Sequence, residues 1–169
     1  VIYTEFVKSA IEGKPGVVDI LYNGITNAGF KCVKHTGDDH SGKDEFKENP
    51  EVDVLIATQT ISTGVDDLQK VCHNMIFNTL PWTHSLYTQI IGRLVRRRQK
   101  KKVTIHHVLA HVDYDGKPWV FDDKKMDAII RKKSILDCVL TGEYPDKHLI
   151  DKNQTYIGLR DFIARIREG

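Results

Sequence analysis

Short apolar runs recur along the chain, and most of them are rich in β-branched residues. Runs of this length, separated by polar stretches, are typical of buried strands. The third run is nearly all apolar, as expected of a strand that is covered on both faces of a sheet. The runs that predict strands are VIYTEF at 1–6, KCVKHT at 31–36, DVLIAT at 53–58, HNMIFN at 73–78 and VTIHHVL at 103–109.

Helical patterns lie between these strands. The first follows Pro15 and Gly16 and ends at Gly29, a residue that suits a helix C-cap. Strands that alternate with helices predict an α/β domain built on a parallel sheet. The predicted helices cover residues 17–29, 42–50 and 82–97.

The composition changes after residue 112. A turn-rich stretch, VDYDGKPW, comes first, and a helix then begins at Asp122 and ends before Gly142. We therefore expect an α/β domain at 1–112 and a helical extension at 113–169. The extension closes with a predicted amphipathic helix that places on one side Leu159, Phe162, Ile163 and Ile166.

The overall composition is that of an ordinary soluble protein, with 40% hydrophobic and 28% charged residues. A net charge of only +2 means that the protein as a whole is no polycation. No apolar run approaches the ~20 residues that span a bilayer, so we expect no membrane partner. Because the chain opens directly on a strand-like run, we expect it to be a piece of a longer protein.

The cysteines lie far apart and form no C-x-x-C pair. This spacing predicts reduced thiols and an intracellular location, in the cytoplasm of a prokaryote or of a virus-infected cell, or in a nucleus. The residues concerned are Cys32, Cys72 and Cys138.

A basic run, TQIIGRLVRRRQKKK at 88–102, concentrates the positive charge, and seven of the ten residues at 93–102 are Arg or Lys. On a helix, a step of about 100° per residue places Gln89, Arg93 and Arg96 together, opposite a broad apolar face. Guanidinium groups suit phosphate because their planar fork can bind two oxygens at once. The alternative is a solvated helix face without a ligand.

The third predicted strand delivers the chain to a loop that is rich in hydroxyl groups, including Thr58 and Thr60. Gly64 then allows a tight turn, and Asp66 follows. In parallel α/β sheets the ligand site lies at the carboxyl ends of the strands, where hydroxyls suit phosphate and a carboxylate can hold a ribose hydroxyl. The alternative is an ordinary connecting loop with a capping aspartate.

Two other groups of residues carry weaker signals. His107 and His111 would share one face of a strand, with His106 adjoining, but no carboxylate or cysteine completes a set of ligands. We therefore expect no metal site. Trp82 could stack on a base, although after Pro81 we expect it to pack at the start of a helix.

These segments resemble the ordered motifs of superfamily-two helicases and translocases. LIATQTISTGVD resembles motif V, and QIIGRLVR resembles motif VI, whose pattern is Q-x-x-G-R-x-x-R. VIYTEF resembles the strand of motif IV. NMIFNTLPWTHSLYTQIIGRLVRRRQ is especially similar to the Swi/Snf-like branch, in which Gln99 is the final position.

The resemblance covers residues 1–142, because VFDDKKMDAIIRKKSILDCVLTGE is similar to the helix that follows the core in that branch. Two positions depart from the pattern. Arg98 stands where the branch usually has Gly, and Asp66 is commoner outside the branch.

The resemblance implies a RecA-like second lobe, a three-layer α/β domain of the P-loop NTPase type with a C-terminal helical extension. In such enzymes ATP lies in the cleft between two lobes, and the first lobe supplies the Walker A loop and the carboxylate that binds Mg²⁺. This sequence contains neither motif, so ATP and Mg²⁺ would be held mainly by an N-terminal lobe of the same full-length chain. We expect the fragment alone to be monomeric and inactive.

The resemblance also implies roles for individual residues. Arg93 and Arg96 would be arginine fingers for the γ-phosphate, while Gln89, Gly64 and Asp66 line the nucleotide cleft, with Asp66 near the ribose. The residues implied to contact the backbone of a nucleic acid, DNA rather than RNA, are Thr4, Thr36, Thr58, Thr60, Arg97 and Lys100. Two other functions stay open: a nucleic-acid-binding module without ATP chemistry, and a degenerate lobe that serves as a protein scaffold.

Overall fold

The computed structural model describes residues 1–9, 11–114 and 117–142. Two predictions fall outside these residues. They are the last amphipathic helix, at 159–166, and the Asp-Gly pair at 115–116 of the turn-rich stretch.

The chain divides into two compact units. The first consists of residues 1–80 and 86–108, and the second of residues 81–85 and those from 109 onward. Residues 81–85 and 109–112, which lie inside the α/β domain expected at 1–112, fall in the second unit.

A parallel sheet forms the first unit. Its strands are β1 (Ile2–Tyr3), β2 (Cys32–His35), β3 (Val54–Ala57), β4 (Asn74–Phe77) and β5 (Thr104–His107). They lie in the order β2-β3-β1-β4-β5, and every neighbouring pair is parallel. Each strand falls within one of the predicted apolar runs, which confirms the predicted α/β class.

Helices connect the strands of the first unit. They are α1 (Val17–Asn27), α2 (Gly42–Glu48), α3 (Leu68–Val71) and α4 (His84–Ile91), whose first residues belong to the second unit. The short helix α3 and a 3₁₀ turn at Gln59–Ser62 lie in the loop after β3, where the sequence pattern predicts no helix.

The second unit contains a pair of antiparallel strands, β6 (His111–Tyr114) and β7 (Lys117–Val120), which are followed by α5 (Phe121–Thr141). The sequence pattern predicts the helix but treats the segment before it only as turn-rich. None of the helices among the described residues is long and apolar enough to cross a membrane.

The central strands supply the core because their runs are almost continuously apolar. Tyr3 of β1, Leu55 and Ile56 of β3, and Met75 and Phe77 of β4 are all fully buried. Removing a large apolar side chain from water contributes about 1.5–3 kcal/mol. These residues therefore hold the centre of the sheet while its ends carry polar groups.

The helix that carries the basic run ends earlier than its pattern predicts. The prediction of one helix over 82–97 is wrong at its end, since α4 stops at Ile91. Beyond it, Arg93 N donates to Ile90 O at 3.1 Å and Leu94 N to Ile91 O at 2.9 Å, bonds that span three residues and tighten the turn. Arg98 then adopts a left-handed conformation with φ of 78°.

An aromatic cluster fixes α4 on the sheet. The ring of Phe77 lies 5.4 Å from that of Tyr3, 5.1 Å from that of Tyr87 on α4 and 5.5 Å from that of His107 on β5. The Tyr87 hydroxyl is 3.0 Å from His107 Nε2, within hydrogen-bonding distance. These contacts set the position from which the chain continues into the basic run.

His35 makes the stability of the first unit sensitive to mild acid. It is 2% exposed at the end of β2, and burial, with the charges of His40 and Lys43, lowers its pKa. Burial likewise lowers the pKa of His107. The unfolded chain therefore binds protons first, so stability is complete above the unfolded pKa of about 6.5 and is lost as the pH falls below it.

We expect the free energy of unfolding in urea to fall between pH 7.5 and pH 5.5. This range lies above the carboxylate titrations, which isolates the histidines. His35→Leu should flatten the dependence. An equally steep fall in this variant would show that His35 is not responsible.

Candidate functional site

The loop between β3 and α3 forms one wall of the candidate site. It leaves the sheet at Thr58 and passes through the 3₁₀ turn, where Ser62 Oγ donates to Gln59 O at 2.8 Å. Gly64 has a φ of 73°, a left-handed conformation that glycine adopts without strain. The loop then exposes the carboxylate of Asp66.

Arg93, which follows α4 in the chain, donates hydrogen bonds to this loop. One of its guanidinium nitrogens, Nη1, donates to Val65 O at 3.2 Å and to Asp66 Oδ1 at 3.3 Å, and the other, Nη2, donates to Ser62 O. The side chain is only 19% exposed. Arg93 is therefore a fixed donor whose orientation is set by backbone carbonyl groups.

Arg96 meets the same carboxylate but is freer. Its Nη1 donates to Asp66 Oδ1 at 2.7 Å, and the side chain is 48% exposed. The hydrogen bond and charge of Arg96, and then the charge of Arg93, hold the pKa of the Asp66 carboxyl below its usual range. Two guanidiniums thus share one ionised carboxylate, which leaves an excess positive charge that suits an anionic ligand.

The structure brings together Asp66, Arg93 and Arg96, which the sequence places 27 and 30 residues apart. The other predicted cleft residues lie nearby in the chain: Gln89 is exposed on α4, and the carbonyl oxygen of Gly64 accepts from Lys43 Nζ at 3.4 Å. Arg93 and Arg96 therefore meet at Asp66, but they project from turns after α4 and not from one helical face shared with Gln89.

The threonines at the carboxyl edge of the sheet are mostly internal. Thr4, Thr36 and Thr58 are buried, and Thr60 Oγ1 donates to His35 O at 3.2 Å. Their polar groups are used within the chain.

The Oγ1 atom of Thr36 accepts from Asp39 N at 3.2 Å, and that of Thr4 lies 3.5 Å from Asn78 Nδ2. These hydroxyls are buried in this conformation, and the expected contact of Thr4, Thr36 and Thr58 with a nucleic-acid backbone stays a prediction. Arg97 and Lys100 are exposed, as a contact with nucleic acid requires.

Sequence reasoning misses the contribution of Gln99 to the geometry. Its Nε2 donates to Cys72 O at 2.9 Å, with a longer contact to Leu94 O at 3.4 Å, and its Oε1 accepts from Lys101 N at 3.0 Å. The amide ties the end of the arginine segment to the start of β4. The only sequence signal for this role is the position of Gln99 in the motif. Residue types do not show which backbone carbonyl groups lie close enough to accept a hydrogen bond from its amide.

The donor set of this site fits phosphate oxygens better than a cation. Among residues 1–9, 11–114 and 117–142, no group of three or more His, Cys, Asp and Glu side chains could hold a metal ion. The two guanidiniums of the site offer binding and charge neutralisation to an anion.

Comparison with known proteins identifies the region that contains this site. The family model of the helicase conserved C-terminal domain matches residues 1–98. A solved structure, the C-terminal part of the Fun30 ATPase domain, is similar with a TM-score of 0.53 and 20% sequence identity. That match covers 63% of this chain and 33% of the other, so this chain spans about a third of its length. None of the curated proteins compared matches the chain.

Proposed function

Since the chain belongs to the helicase conserved C-terminal domain family, we propose that it is the C-terminal, RecA-like lobe of an ATP-dependent nucleic-acid helicase or translocase. The observation that carries the proposal is the convergence of Arg93 and Arg96 on Asp66. Two neighbouring guanidiniums, of which Arg93 is held by the loop and Arg96 is freer, are groups that a second lobe would contribute to phosphoryl transfer.

Arg93 and Arg96 divide the work of neutralising the γ-phosphate. Arg93 is held by Ser62 O and Val65 O and supplies a rigid donor. Arg96 is half-exposed and can leave Asp66 for a phosphate oxygen. Both use Oδ1, so Asp66 Oδ2 can accept a hydrogen bond from a ribose hydroxyl.

The partners follow from what this chain lacks and what it exposes. ATP and Mg²⁺ are held mainly by an N-terminal lobe of the full-length chain, which supplies the metal ligands. The exposed basic residues at 97–102 contact the backbone of a nucleic acid, DNA rather than RNA, through salt-sensitive charge interactions. An intracellular protein with reduced cysteines suits this partner.

A comparison of this chain with the full-length, two-lobe protein tests the proposal. We expect no ATP hydrolysis by the 169-residue chain alone and nucleic-acid-stimulated hydrolysis by the two-lobe protein, because the triphosphate and the metal are bound by the other lobe. Phosphate release measured with and without duplex DNA would show the difference. Appreciable turnover by the purified chain alone would contradict a site made of two halves.

The second candidate is a nucleic-acid-binding module without ATP chemistry. The exposure of Arg97, Arg98 and the lysines at 100–102 favours it, since these residues could act without a nucleotide. The two candidates differ in what loss of Arg93 does.

A further inference from the structure

A second basic site lies at the amino ends of β4 and β5. A cavity of about 510 Å³ is lined on one side by residues 69–73, which lead into β4, and on the other by residues 98–101, which lead toward β5. Because the strands are parallel, this is the edge of the sheet opposite to Thr4 and Thr58. Its volume is typical of ligand pockets, which measure about 300–1,000 Å³.

The charged residues in the described lining of the cavity are all basic. Lys70, Arg98, Lys100 and Lys101 line the cavity, and no carboxylate occurs among the described residues that do so. Lys70 is paired with Asp67, which is outside the lining and whose Oδ2 lies 2.8 Å from Lys70 Nζ. The remaining cations face the cavity without a carboxylate in its wall, which favours an anionic ligand.

The backbone conformation of Arg98 supports a binding role for this positive charge. Its φ of 78° is left-handed, a conformation that glycine adopts freely and that side chains with a Cβ avoid. Backbone strain of this kind is concentrated at binding and catalytic sites. An arginine that keeps this conformation in the lining of the cavity does so at the expense of stability.

The cavity walls are joined before any ligand arrives. Gln99 Nε2 donates to Cys72 O at 2.9 Å, which connects the segment at 98–101 to the segment at 69–73. Lys101 N donates to Gln99 Oε1 at 3.0 Å, which holds the backbone at Lys101 close to the side-chain amide of Gln99. Such pre-organisation reduces the ordering that binding would otherwise require.

We propose that this cavity is a phosphate-binding site for the backbone of a nucleic acid. The inference rests on the proposed function for the identity of the polymer. The basic run continues past the lining into exposed Arg97 and Lys102, so the positively charged surface extends beyond the cavity. A ligand that only fills the cavity would not contact all of this surface. The site adds a contact at the sheet edge remote from the carboxyl ends of the strands.

Fluorescence anisotropy of a fluorescein-labelled 20-base-pair DNA duplex with the 169-residue chain tests the proposal. Lys70→Ala and Lys101→Ala, on opposite walls, should each weaken binding and reduce the slope of log affinity against log salt by about 1. Lys14→Ala removes the same charge at an exposed position outside the lining and should change neither. A loss in Lys101→Ala but none in Lys70→Ala would mean that a linear basic run binds without the cavity, and would overturn the proposal.

Arg98→Gly separates a binding role from a structural one. Glycine removes the strain, so we expect the melting temperature to rise while duplex affinity falls. A rise in melting temperature with unchanged affinity would overturn the proposal.

Sodium tripolyphosphate separates the nucleic acid from a small phosphorylated ligand. If tripolyphosphate binding depends on Lys70 while duplex binding does not, the site belongs to a small anion and the nucleic-acid assignment fails. The proposed ATP role would fail on a different result, namely ATP hydrolysis that survives in Arg93→Ala. The two failures are therefore distinguishable.

Discussion

Replacing Arg93 by alanine in the full-length, two-lobe protein is expected to lower the kcat of nucleic-acid-stimulated ATP hydrolysis by about 10³-fold or more, the size of an arginine-finger effect. The reason is geometric, because Arg93 is the less exposed of the two arginines and is oriented by carbonyl groups of the loop after β3. The measurement is steady-state phosphate release at saturating DNA, with duplex affinity recorded in parallel. We expect that affinity to be largely retained.

Two further variants make this result interpretable. Arg97→Ala removes an equal charge from an exposed neighbouring position and should leave kcat nearly unchanged at saturating DNA. Arg93 also holds Ser62 and Val65, so its loss could loosen the loop.

Among residues 1–9, 11–114 and 117–142, Asp66 is the side chain that Arg96 bonds, so Arg96→Ala should lower kcat without lowering the melting temperature. If ATP hydrolysis survives in Arg93→Ala while duplex binding collapses across salt concentrations, the binding-module alternative is correct.

Phe77→Ala is expected to lower the free energy of unfolding by about 3–5 kcal/mol, as for other large aromatic side chains removed from a core. Phe77 is fully buried on β4, and its ring contacts those of Tyr3, Tyr87 and His107. Its loss would open a cavity beneath α4 and release the helix that leads to Arg93. Urea denaturation of the 169-residue chain measures the change.

The matched control is Phe30→Ala, since Phe30 is 53% exposed. A change at such a surface position should remain within about 0.5 kcal/mol. Similar losses in the two variants would show that the aromatic cluster does not anchor α4.

Family membership was predictable because it depends on ordered local patterns. The segments that resemble motifs IV, V and VI fall within residues 1–98, where the helicase conserved C-terminal domain matches, and the prediction of a helicase C-terminal lobe is confirmed. The parallel five-stranded sheet and the similarity to the Fun30 ATPase domain confirm the RecA-like fold. The roles of individual residues at the site stay predictions.

The sequence by itself determined the five strands of the parallel sheet, because each buried strand needs a short apolar run, and it determined the family, because the motifs occur in order. Only the tertiary structure decided where α4 ends and which polar groups face solvent. Helical period carries no information about carbonyl oxygens distant in the chain, such as those of Ser62 and Cys72, which fix Arg93 and Gln99. For the same reason, the sequence predicts a ligand contact for a hydroxyl at the end of a strand, as in Thr4, and only the structure shows that packing buries this residue.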